Sequence, residues 1–130
     1  MEYVIRNASG KPAGIGAADF DEDGDTDLVF AASFSSYLAW FENIDGVGNF
    51  AEHTFSGLNG GKRVVTGDFN GDDHVDFMAT SSGTRQVTLW TNDGSGIFSR
   101  YQINGNFSYD MYEVDLDLDG DLDVLNAYWS

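Results

Sequence analysis

The sequence predicts an all-β protein built from repeated four-stranded antiparallel meanders, the blade unit of a β-propeller. Three observations carry this reading. Acidic runs of one pattern start at Asp19, Asp68 and Asp115, 49 and 47 residues apart. An aromatic segment keeps nearly the same period: Trp40-Phe41-Glu42-Asn43 leads through Asp45-Gly46 to Phe50, and Leu89-Trp90-Thr91-Asn92 leads through Asp93-Gly94 to Phe98. No stretch of useful length has helical periodicity, and Pro12 is the only proline. Periods of about 40 to 50 residues suggest propeller blades or solenoid units, and a unit of four strands is a blade.

The strands follow in order. Before each acidic run lies a short segment, at residues 15–20, 63–69 and 111–116, that reads as a first strand. After each run comes a mostly apolar stretch of four or five residues, beginning at Leu28, Phe77 and Val124, typical of a strand buried on both faces. An aromatic third strand is expected at 37–42 and again at 86–91. The Asp-Gly step that follows signals a tight hairpin, and the fourth strand starts at Phe50 and Phe98. Tyr3 to Asn7 aligns with the fourth strand of a preceding unit. The predicted division of the single domain, residues 1–130, is therefore an outer strand at 1–12, blades at 13–61 and 62–108, and the first half of a blade at 109–130.

Composition bounds the function. The 130 residues are 42% hydrophobic and 15% aromatic, too apolar for a disordered acidic tail. With 22 acidic residues against six Lys and Arg, the net charge of −16 argues against a nucleic-acid partner and against an anionic membrane surface. No stretch approaches the ~20 apolar residues that span a bilayer. The absence of cysteine excludes disulfides and thiolate metal sites. Met1-Glu2-Tyr3 opens with neither a basic nor an apolar leader segment, so no signal peptide is expected in this chain.

The acid is clustered. Fifteen of the 22 acidic residues fall in the three runs, 19–27, 68–76 and 115–123. A surface made acidic for solubility would scatter its carboxylates among Lys and Arg; clustered charge calls for a counter-ion. Positions 1, 3, 5 and 9 of each run can offer side-chain oxygens, and position 7 its backbone carbonyl. Such a donor set suits a hard cation with six to eight oxygen ligands, Ca²⁺ rather than the strictly octahedral Mg²⁺. Position 6 must turn sharply. Gly24 and Gly120 suit a positive φ there, and Asp73, which replaces glycine in the middle run, is among the few residues that tolerate it. An EF-hand shares the D-x-D-x-D-G opening but needs a bidentate Glu at position 12 and flanking helices. Position 12 is Phe30, Ala79 and Asn126, and the flanks are β-rich.

The pattern D-x-D-x-D-G-x-x-D followed by an apolar strand resembles the calcium loop of FG-GAP repeats, found in integrin α-subunit propellers and in bacterial proteins with VCBS repeats. The segment Trp40-Phe-Glu-Asn43, Asp45-Gly46, Gly48-Asn49-Phe50 is similar to the linker common in the bacterial versions. The resemblance covers the whole chain and implies three Ca²⁺ sites. Carried over by position, the first is Asp19, Asp21, Asp23, Asp25 (carbonyl) and Asp27. The second is Asp68, Asn70, Asp72, His74 (carbonyl) and Asp76, and the third Asp115, Asp117, Asp119, Asp121 (carbonyl) and Asp123. It also implies an extracellular or cell-surface location for the parent protein.

The resemblance also implies a ring of about six to eight blades, within the range of propellers in general. Fewer than three blades leave strand edges and blade faces exposed. The expectation is therefore a homo-oligomer, a two-fold dimer forming a six-bladed ring being favoured and a trimer possible, unless the chain is a piece of a larger secreted or adhesion protein.

The remaining residues suggest no catalytic constellation. His74 sits where only its carbonyl is useful, so its ring reads as a solvated bystander, and His53 has no partner visible in sequence. Trp40, Trp90 and Trp129, with Tyr37 and Tyr128, are candidate sugar-stacking platforms, although packing between blades is the favoured role for each. The expected function is a non-catalytic scaffold with structural calcium that binds a glycan or a protein surface. The alternative is a polysaccharide-degrading, lyase-like enzyme, since fold alone does not separate the two.

Overall fold

The computed structural model describes residues 11–103, 110–118 and 122–127. The expected outer strand Tyr3 to Asn7, together with Asp119, Gly120, Asp121, Tyr128 and Trp129, lies outside the described residues. Two four-stranded antiparallel meanders and a third, two-stranded sheet make up the rest. The first comprises β1 (Lys11–Ala18), β2 (Asp27–Ser33), β3 (Leu38–Asn43) and β4 (Phe50–Phe55), paired in chain order. The second repeats it with β5 (Gly61–Gly67), β6 (Asp76–Ser81), β7 (Gln86–Asn92) and β8 (Phe98–Ile103). In the third, β9 (Asp110–Val114) pairs with β10 (Asp123–Ala127). No helix occurs among the described residues.

The register is the same in each repeat. Ala18 pairs with Asp27, Gly67 with Asp76 and Val114 with Asp123, so each acidic run hangs from the last rung of a ladder. Burial grades across each sheet as the apolar runs predict. The strand β6 is buried along its whole length and β2 along most of it, whereas the outermost strands β4 and β8 are largely exposed.

Successive sheets stack face to face, with β1 against β5 and β5 against β9. Between the first two, Val29 and Ala31 of β2 and Leu38 and Trp40 of β3 meet Val64, Phe77, Ala79 and Trp90 of the second sheet. Trp90 stacks on Phe77 at 4.9 Å, and Phe98 packs edge-on to both Phe20 and Phe77. Truncating a buried ring of this size typically costs about 3–5 kcal/mol. The opposite face of the second sheet places Val65, Met78 and Val87 against Met111 of β9. The repeats therefore bury their apolar faces on one another, which no single sheet of this size could do alone.

Several strand bounds differ from expectation: β1, β5 and β9 begin at Lys11, Gly61 and Asp110 rather than at 15, 63 and 111, and one further difference recurs in every repeat. The first strands end at Ala18, Gly67 and Val114, two residues before the predicted ends at 20, 69 and 116. The reason is local. The backbone N–H groups of Phe20, Phe69 and Leu116 donate to the carboxylates of Asp27, Asp76 and Asp123 at 3.2, 3.1 and 3.1 Å instead of to a ladder partner. Phe20 is a loop residue by backbone, yet its ring is fully buried between the sheets.

Candidate metal centre

The first and middle acidic loops are organised by their own side chains. In the first, Asp19 Oδ2 accepts from Gly24 N at 3.0 Å, Asp21 Oδ1 from Asp23 N at 3.3 Å, and Asp23 Oδ1 from Asp25 N at 2.8 Å. In the middle loop, Asp68 Oδ1 accepts from Asn70, Gly71 and Asp72, and Asp68 Oδ2 from Asp73 N at 2.8 Å. These Asx-type turns wind the backbone around a centre. Position 6 is left-handed as expected, with φ of 96° at Gly24 and 69° at Asp73. Position 4 is left-handed too, at Glu22, Gly71 and Leu118, which sequence reasoning did not anticipate because no single residue type marks it.

The first loop gathers Asp19, Asp21 and Asp27, with one carboxylate oxygen of each lying within 4.8 Å of the others. The third brings Asp115, Asp117 and Asp123 together in the same way. Among the described residues the middle loop forms no such acidic group. Its position 3 is Asn70, whose side-chain amide donates to Asp72 Oδ2 at 2.9 Å. Asp23 and Asp72 spend a carboxylate oxygen on the backbone N–H of position 7, at Asp25 and His74.

The electrostatics of the first loop ask for a cation. Burial pushes the carboxyls of Asp21 and Asp27 above the usual range, with the neighbouring Asp23 adding to it in both. Backbone donors from Asn43 and Phe20 pull Asp27 partly back. Asp19 Oδ1 is buried and makes no hydrogen bond among the described residues. A buried carboxylate oxygen without a donor is costly, and an ion would satisfy it. The donor set of hard oxygens therefore fits Ca²⁺. In the middle loop, burial raises Asp76 in the same way. Asp68 is also pushed up by burial, but its four backbone donors outweigh that and hold its carboxyl below the usual range.

Two further roles were not read from the sequence. Asn43 and Asn92, at the ends of β3 and β7, clamp the loops from behind. Their backbone N–H groups donate to Asp27 Oδ1 and Asp76 Oδ1, each at 2.8 Å, and their side-chain amides reach Thr26 O and Val75 O. Asn92 also donates to Phe20 O at 2.6 Å, tying the second sheet to the first loop. The 49-residue spacing of the two asparagines, equal to that of Asp27 and Asp76, was the available signal. The His74 ring, expected to be a solvated bystander, lies against the first loop with Nδ1 2.5 Å from Glu22 Oε1. His53 also has a partner, Glu42 Oε2 at 2.7 Å, and stacks on Trp40.

The candidate stacking platforms Trp40 and Trp90 are core residues, 5% and 2% exposed. His53 lies on the Trp40 ring at 4.5 Å and Phe98 meets it edge-on, so neither tryptophan offers a face to a sugar. Tyr37 donates its hydroxyl to Glu52 at 2.7 Å and packs edge-on to Phe30.

No curated protein matches the chain. A family model for the FG-GAP-like repeat matches it twice, at residues 19–79 and 68–125, each match running from one acidic loop into the next repeat. The two matches together cover most of the sequence and coincide with the structural repeat, and the chain belongs to the FG-GAP-like repeat family.

Proposed function

We propose that the chain is a calcium-stabilised, non-catalytic repeat scaffold that works outside the cell and presents a surface to a glycan or a protein. The observation that carries this is the first loop, where three carboxylates converge, two of them raised by burial, around a buried Asp19 oxygen without a donor. Ca²⁺ bound here would supply the positive charge that this centre lacks. Asp19, Asp21, Asp23 and Asp27 would hold it with their side chains and Asp25 with its carbonyl. Asp115, Asp117 and Asp123 form the third centre, and Asp68, Asn70, Asp72, Asp76 and the His74 carbonyl form a weaker middle one.

Ion binding by the folded state alone stabilises it through linkage. The melting temperature should rise with added CaCl₂ and fall in EDTA; an identical melting curve in both sinks the calcium reading.

The scaffold reading extends to assembly. Among the described residues β10 pairs only with β9, and Tyr112 and Leu125 on this two-stranded sheet are exposed, the pattern of a blade face that awaits a neighbour. A second copy supplies that neighbour in a two-fold ring. Light scattering should then return at least twice the chain mass, and a stable folded monomer would rule the ring out. Both histidines are engaged with glutamates, one beside a core tryptophan and one between loops, which favours a binding role over a lyase. A lyase assay that released unsaturated sugars would reverse this preference.

A further inference from the structure

The acidic loops occupy one end of the sheets, and the opposite end has a different character. Only six residues of the chain are Lys or Arg. Four of them, Lys11 at the start of β1, Lys62 and Arg63 at the start of β5 and Arg85 in the turn between β6 and β7, stand at this far end. A groove of about 670 Å³ opens there, lined by Ser33 and Phe34 from the first sheet, Lys62, Arg63 and Ser82 from the second, and Asp110 from the third. Its volume lies within the ~300–1,000 Å³ of small-molecule sites. Among the described residues, Asp110 is the one acidic side chain in the lining, and it shares Arg63, whose Nε lies 3.5 Å from Asp110 Oδ1.

Phe34 is the unusual member. It is 90% exposed, and its backbone is left-handed with φ of 62°. A bulky aromatic in that conformation is strained, and folding gains little from a ring left in water. Lys11 Nζ stands 5.8 Å from the ring centroid, a cation over an aromatic face. Solubility and stability would both be served by a small residue at this turn. A ring kept there despite both costs points to a ligand.

We propose that this groove binds an acidic carbohydrate. Phe34 offers a flat apolar face to the C–H face of a sugar ring, and Arg63 and Lys62 supply the charge for a carboxylate or sulfate. The hydroxyls of Ser33 and Ser82 donate to Lys11 O and Gly60 O at 3.3 and 2.8 Å, which leaves their oxygens to accept from sugar hydroxyls. The net positive lining contrasts with a chain of net charge −16, so an anionic ligand is drawn to this end and repelled from the loops. The proposal rests on the glycan-binding form of the scaffold reading and gives it a site and a ligand class.

Calorimetric titration of the calcium-loaded protein with tetragalacturonate, a sulfated galactan tetrasaccharide, neutral galactotetraose and hexaglutamate tests it. One or both acidic sugars should bind, with affinity falling as NaCl rises, and the neutral sugar should bind at least about tenfold more weakly. Phe34→Gly relieves the backbone strain, so it should melt at an equal or higher temperature while weakening the acidic sugar roughly three- to tenfold. Lys62→Gln and Arg63→Gln should each weaken it about two- to fivefold and flatten the salt dependence. Unchanged affinity in Phe34→Gly and Arg63→Gln would move the sugar elsewhere, and equal binding of hexaglutamate would remove the carbohydrate; either result overturns the proposal. The CaCl₂-dependent melting shift, recorded on the same samples, keeps the two readings apart. A retained shift with no sugar binding overturns the groove alone.

Discussion

Asn43 donates its backbone N–H to Asp27 Oδ1 at 2.8 Å, across a separation of 16 residues that joins the end of an aromatic strand to the end of an acidic loop. Asn92 and Asp76 repeat the bond at the same length. The position-9 carboxylate is thus both a candidate ligand and a structural clamp, because its second oxygen holds the backbone of Phe20 or Phe69.

Removing that clamp should destabilise the protein with or without calcium. Asp76→Ala leaves two backbone N–H groups without their acceptor, at a cost of about 1–3 kcal/mol each where they stay dry. Urea unfolding in EDTA is the measurement. A loss confined to calcium-containing samples would make Asp76 a ligand only.

The pH dependence of the metal-free protein follows from the raised carboxyls. Asp21, Asp27 and Asp76 all have folded-state pKa values above the ordinary 3.8, burial being the leading cause. The folded state then holds protons that the unfolded chain has lost. Their effect is favourable below 3.8 and is lost as pH rises through the folded values. Asp68 and Asp93 are shifted downward, so their contribution changes only below 3.8, where it is lost as pH falls, and leaves the slope above pH 4 to the raised carboxyls. In EDTA the melting temperature should therefore fall as pH rises from about 4 through the folded-state values of these carboxyls. Saturating CaCl₂ should flatten or reverse the slope, because an ion binds the ionised carboxylates.

His74 reports on the contact between loops. Its pKa is raised above 6.5, chiefly by the hydrogen bond with Glu22. A group shifted this way stabilises the fold below 6.5 and loses that effect as pH rises through the folded value. An NMR titration of the ring should give a midpoint above 6.5 that Glu22→Gln returns toward it. No change in Glu22→Gln would mean that the two loops do not meet in solution.

The middle loop should bind calcium most weakly. It has three ligand carboxylates where the first loop has four, and Asn70 already bonds to Asp72. Ligand charge tunes affinity in such loops. Asp73 adds a charge nearby, but a direct ligand lies closer to the ion and dominates. Asn70→Asp should tighten the weakest step in a calcium titration, by about tenfold if one added carboxylate contributes ~1.4 kcal/mol. An unchanged weakest step contradicts the ranking, and so does a first loop carrying Asp21→Asn that outbinds the middle one by its original margin.

The sequence by itself determined the repeat, the strand order within it and the position of the acidic loops. Those features depend on short-range regularities: apolar runs, Asp-Gly hairpins and oxygen donors at fixed spacing. Tertiary structure decided the rest. Trp40 and Phe34 are both aromatic, and local sequence does not say which is covered. Trp40 is buried because the next sheet and His53 close over it, whereas Phe34 sits on a turn where its ring stays 90% exposed beneath Lys11. The clamp by Asn92 and the Glu22–His74 contact join residues 72 and 52 positions apart, a proximity created only when one sheet stacks on another. The groove at the far end is a property of three sheets together, since no one of them carries its aromatic, its cations and its hydroxyls.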